Sequence, residues 1–258
     1  MIVSPDELLY WLAQLLLPFF RIAAFFMVVP IFGNQLVALR VRVLFALTTA
    51  IALFPILPAV PEIDPLSLAM VLGVLEQIVV GATLGFLLQI FFHIFVLAGQ
   101  MIAMQMGLGF ASMIDPTNGV SVAVVSQFYV LLVTLLFLAF NGHLVLIDVL
   151  VEGFAAIPIG SGGMSQSVMW QLASAGGWMM ASALLLALPA VTAILIVNFA
   201  FGVMTRAAPQ LNIFSLGFPF TLMFGIFILW VALSGFLPQY ERLSAEVFAQ
   251  LRSWLYMP

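Results

Sequence analysis

Cysteine and lysine are missing altogether from these 258 residues, and charged side chains make up only 6% of them. The first absence rules out disulfides, thiolate metal sites, iron–sulfur clusters and cysteine nucleophiles, and it carries no information about redox compartment. The six basic residues are all arginine and the isoelectric point is near 4.9, so there is no basic surface and nucleic acid is excluded as a partner. A water-soluble fold needs roughly a quarter of its residues charged, and that class is excluded too. HExxH, G-x-S-x-G and P-loop motifs are all absent, as is any cluster of metal ligands. No enzyme chemistry, cofactor or metal is expected.

What is present is hydrocarbon: 65% hydrophobic residues and a mean hydropathy of +1.29. The expected class is an all-α integral membrane protein, one membrane domain of about six long, kinked apolar helices and an amphipathic tail helix. Ser4-Pro5-Asp6-Glu7 reads as a helix start, with Ser4 as N-cap, Pro5 at the first helical position and Glu7 closing a capping box. The acidic N-terminus argues for a first apolar run that is retained rather than cleaved as a signal. Helix 1 is expected to reach about Phe32, with Pro18 and Arg21 inside it, and helix 2 to run from about Arg40 to Leu57. A proline-stiffened loop follows, closed by Asp64-Pro65 as the cap of helix 3.

From Leu66 to Met106 nothing breaks the pattern. About forty residues at 1.5 Å each span about 60 Å, twice a bilayer's hydrocarbon, so this helix either breaks midway or extends outside lipid. Gly73, Gln77, Gly81, Gly85, Gln89 and His93 recur along it every fourth residue, a packing stripe of small and polar side chains. Helix 4 is expected from about Val120 to Val151, interrupted at Asn141-Gly142-His143. Helix 5 covers about Ser167 to Met204, with a kink at Pro189, and helix 6 about Ile213 to Phe236. From Pro238 onward Tyr240, Leu243, Val247, Leu251 and Trp254 share one face, which suits a membrane surface or a partner. If all six segments span, Arg40, Arg42 and Arg206 lie on one side and the N-terminus on the outer one.

Between helices 3 and 4 lies the least ordinary stretch, GQMIAMQMGLGFASMIDPTNG at 99 to 119. Gly107 and Gly109 loosen the backbone and Asp115-Pro116 stops a helix, so helix is expected to fail after Met106. Such a break is either a membrane-edge turn or a mobile constriction, in which Met101, Met104, Met106 and Met113 close around a gap of changing shape. Glu76 reads as a proton site or as the ion-pair partner of Arg21, with pairing favoured because it is an isolated intramembrane carboxylate. His93 and His143 suit structural hydrogen bonding better than haem ligation.

MGLGFASMIDPTNG at 106 to 119 and RAAPQLNIFSLGFP at 206 to 219 resemble the FliR-type family (FliR/SctT/SpaR) of the flagellar type III secretion export gate, over essentially the whole chain. The resemblance implies a FliP-like helical part at 1–160, a FliQ-like C-terminal helical hairpin at 161–237 and the amphipathic helix at 238–258. It implies that Met106, Gly107, Leu108, Gly109, Phe110, Ala111, Ser112, Met113, Ile114, Asp115 and Pro116 form a plug. It further implies assembly with FliP-type and FliQ-type subunits, contact with FlhB-type and FlhA-type components, unfolded protein substrates, and a place in the bacterial inner membrane within the flagellar basal body, much of the gate being lifted out of the bilayer plane. A gating subunit of a protein export channel is therefore the leading expectation. A small-solute transporter with its site at the discontinuous 99 to 119 segment, and a haem or quinone subunit, are the competing ones.

Overall fold

The computed structural model describes residues 5–33, 37–58, 60–61, 63–64, 67–108, 123–207 and 217–256. All regular structure among them is helical: α1 (Pro5–Val28), α2 (Leu39–Leu53), α3 (Leu68–Gln105), α4 (Val124–Ala139), α5 (Gly142–Ala156), α6 (Gln166–Ala207), α7 (Phe218–Ala232) and α8 (Phe236–Leu255), with single 3-10 turns at Phe54–Ile56 and Leu233–Gly235. Four of the helical stretches are long and apolar enough to cross a membrane: Leu39–Ile56, Leu68–Gln105, Gln166–Ala207 and Phe218–Leu255. The broken pair of α4 and α5 makes a fifth if counted as one span. The protein is an all-α integral membrane protein.

The helix boundaries follow local chemistry. Pro5 opens α1, and the expected cap at Ser4 lies outside the described residues. The start of α3 corrects the expected Asp64-Pro65 cap. Ser67 is the N-cap: its Oγ accepts the Met70 N–H at 3.2 Å while its hydroxyl donates to the Asp64 carbonyl at 2.6 Å. A serine hydroxyl reaches a third-residue amide that Asp64, three residues further back, cannot. No break interrupts α3 over its 38 residues, and α6 remains a single helix of 42 residues through Pro189. The interruption expected at Asn141 is present. Asn141 takes the left-handed conformation at φ 56°, which asparagine tolerates better than branched residues, and α5 restarts at Gly142.

The described chain forms two compact units, Met1–Ile90 with Phe137–Ala175 and Glu246–Pro258, and Phe91–Leu136 with Gly176–Ala245. In the first, Phe26, Phe32 and Phe45 stack between α1 and the start of α2 at centroid distances of 4.9 to 5.1 Å, while Leu17, Val60 and Met70 form a smaller nucleus. In the second, Phe91 and Phe95 of α3 meet Tyr240, and Phe236 contacts both Phe95 and Tyr129. The amphipathic face of α8 is buried in the protein itself: Tyr240, Leu243, Val247, Leu251 and Trp254 are at most 2% exposed. The tail is thus a core element of the chain rather than a helix lying free on a surface, because five large apolar side chains on one stripe find protein to cover them.

Candidate functional site

The small-residue stripe of α3 meets α1 residue by residue. A Cβ on Gly73 would lie 3.4 Å from a methyl of Leu17, and one on Gly85 would lie 2.9 Å from the Phe25 carbonyl and 3.0 Å from Val28 Cβ. Gly81 packs directly on the carbonyl of Arg21, with no room for any side chain. The partners advance along both helices together, so α1 and α3 run parallel here. Gln89 is half-buried further along the same helix, and His93 is exposed.

Arg21 sits at the centre of this contact and is wholly buried. Its Nε donates to Gln77 Oε1 at 2.6 Å, and its two terminal nitrogens donate to the carbonyls of Gly153 at 3.0 Å and Ile157 at 2.9 Å. The guanidinium also lies 4.3 Å from the centroid of the Phe154 ring. Ile157 is the C-cap residue of α5, and the Gly153 carbonyl in its last turn also accepts the Ile157 N–H at 3.0 Å, so Arg21 caps α5 from a distant helix and places its charge at the negative end of the helix dipole. Glu76, expected to pair with Arg21, is near enough to act on its charge, but its buried Oε1 has no hydrogen-bond partner among the described residues. It packs instead against Gly163, whose φ is +78°. Charge-assisted hydrogen bonds at about 1.5–3 kcal/mol each offset the several kcal/mol that desolvating a guanidinium costs.

At the other end of α3 the chain stops in a defined way. Gly107 has φ +82°, its N–H donates to the Met104 carbonyl at 3.1 Å, and the Leu108 N–H donates to the Ala103 carbonyl at 3.0 Å. This pair of bonds is a Schellman cap, so Gly107 fixes the helix end rather than loosening it. Met106 is buried against Gly225 of α7, the ring of Phe218 lies over Gly107, and Asn198 of α6 donates its amide to the Gln105 carbonyl at 3.1 Å. The methionines expected to act together diverge here, since Met104 is 72% exposed and Met106 is 1% exposed. Residues two positions apart on a helix point about 200° apart. Gly109, Phe110, Ala111, Ser112, Met113, Ile114, Asp115 and Pro116 lie outside the described residues.

Several contacts have no counterpart in the sequence reading. Gly99 of α3 meets the backbone of Ser126 in α4, where a Cβ would come within 2.6 Å, and Ser126 Oγ donates to the Val96 carbonyl at 2.9 Å. Arg252 reaches Asp148 at 3.4 Å and Glu152 at 3.3 Å. The spacing of those two acids, one helical turn apart, was a visible signal; Gly99 and Ser126 were visible only as small residues. No group of three metal ligands occurs among the described residues.

Long apolar helices, a buried arginine used as a helix cap, and a glycine-closed stop inside an apolar helix pair define a membrane-embedded helical scaffold. Residues 12–247 match the family described as bacterial export proteins, family 1, and the chain belongs to that family. It is similar to the flagellar biosynthetic protein FliR of Pectobacterium carotovorum subsp. carotovorum, 38% identical over 243 residues, 94% of this chain and 92% of that protein. FliR of Escherichia coli strain K12 is 36% identical over 246 residues (95% and 94%), and FliR of Bacillus subtilis strain 168 is 29% identical over 222 residues (85% of each chain).

Proposed function

We propose that this chain is a structural and gating subunit of the flagellar type III protein export channel in the bacterial inner membrane. In this reading it assembles with FliP-type and FliQ-type subunits, next to FlhB-type and FlhA-type components, within the basal body. Unfolded flagellar proteins are its passengers. Residues 1–160 are the FliP-like part, 161–237 the FliQ-like hairpin and 238–258 the terminal helix. The observation that supports this best is the surface of α6, where apolar side chains from Trp170 through Met180, Leu188, Ile196 and Phe199 to Met204 are exposed. That is about 51 Å of greasy helix against about 30 Å of hydrocarbon. Lipid alone leaves a third or more of it in water, which supports partner chains of similar chemistry covering the rest.

Mass spectrometry of the detergent-extracted native complex tests this reading. One copy of this chain with several copies of different small hydrophobic chains is expected, and copies of this chain alone would overturn it. The plug is assigned to Met106 to Pro116, with Leu108, Phe110, Met113 and Ile114 as its apolar seal. Deleting Gly109 to Ser112 is expected to leave assembly intact and to let small ions leak, read as membrane conductance in cells carrying the whole complex. A deletion that assembles and stays tight would place the seal elsewhere.

A further inference from the structure

The end of α3 is held more firmly than a helix end needs. Its last two amides to matter, those of Gly107 and Leu108, are satisfied by the Schellman bonds. Three further contacts come from α6 and α7. Asn198 Nδ2 donates to the Gln105 carbonyl, a group the helix itself leaves free. Met106 fills the space above Gly225, where even a Cβ would come within 2.6 Å of Met106 Cγ and 2.7 Å of its Cε. The Phe218 ring lies 3.2 Å from where a Cβ on Gly107 would stand.

We infer that α6 and α7 form a three-point anchor for the end of α3, and that Asn198, Gly225 and Phe218 are positioning residues that set where the chain leaves that helix. An amide in an otherwise apolar helix is costly unless bonded, and this one is spent on a carbonyl 93 residues away in sequence. The glycine opposite Met106 is needed for the approach of side chain to backbone, not for a turn, since it lies within a regular helix. Displacement of α6 or α7 therefore acts directly on the exit of α3. The significance for the gate rests on the plug reading above; the anchor itself does not.

The absence of native cysteine makes the test clean. Leu108→Cys is introduced into the otherwise complete complex, with Ser161→Cys as an exposed reference, and the rate of labelling by a membrane-permeant maleimide is measured. In Asn198→Ala, and in the similarly sized Asn198→Leu, which has no donor, labelling of position 108 should rise about fivefold relative to the reference, the change expected from losing one hydrogen bond of this kind. Gly225→Leu should raise it further by evicting Met106. Unchanged labelling in variants that assemble would overturn the anchor. Should none of these assemble, Phe218→Leu, which only thins the contact with Gly107, decides by the same criterion. Ion conductance is recorded in the same cells: faster labelling with a tight membrane keeps the anchor and removes the plug reading.

Discussion

At the scale of single residues, Arg21 is the least replaceable side chain described. Its three acceptors diverge, a side-chain amide on one helix and two carbonyls at the end of another. A planar fork meets such a set and a compact ammonium does not. Arg21→Ala is expected to cost about 3–5 kcal/mol, because it strands buried acceptors, and Arg21→Lys should recover less than half of that. Thermal unfolding of the purified complex measures both. Glu76→Gln discriminates between two accounts of the same node. With the Arg21 donors bonded to Gln77, Gly153 and Ile157, the neutral variant should lower the transition far less than Gln77→Leu. If Glu76→Gln proved as damaging as Arg21→Ala, the carboxylate would be the real counter-ion. From the sequence the acid was the visible partner because complementary charge can be read from residue types. Carbonyls at a helix end carry no such signature.

Elements are where small residues decide. Gly81 faces a backbone carbonyl and Gly85 a carbonyl and a branched side chain, whereas Gly73 faces a movable leucine methyl. Substitution should therefore be graded: Gly81→Ala and Gly85→Leu block incorporation into the complex, and Gly73→Ala is tolerated. Gly176 has open space around its Cα, so Gly176→Ala should leave the fold unharmed and stiffen the helix by up to about 1 kcal/mol. Complex yield after affinity purification ranks the series. Much of this was legible beforehand, because a four-residue repeat of Gly and Gln on an apolar helix announces a packing face, and Asn141-Gly142 announces a break. The contacts of Gly99 and Gly225 were not, since a solitary glycine in an apolar run looks the same whether it meets a neighbour or lipid. The stripe on α8 was legible as a stripe but not as to what covers it. Periodicity gives the buried side of a helix and says nothing about the partner.

For the molecule as a whole, large apolar side chains stand exposed along each of the four helical stretches long enough to cross a membrane. Expressed without companions, the chain is expected to form heterogeneous aggregates in detergent, and co-expression with the FliP-type and FliQ-type chains proposed as its partners should give a single symmetric peak in size-exclusion chromatography. A monodisperse solitary chain would argue that its outward faces need no protein. The Arg21 node adds a constraint that concerns time rather than energy. The carbonyl of Ile157 lies 136 residues downstream of the arginine from which it accepts a hydrogen bond. At about 5–20 residues per second, synthesis leaves that guanidinium without these acceptors for about 7 to 27 seconds. An unpaired charge is costly in hydrocarbon during that interval, so α1 is expected to wait at the membrane interface or within the insertion machinery until α5 emerges. Nascent chains halted before Gly153 should leave α1 open to protease, and chains halted well beyond Ile157 should not.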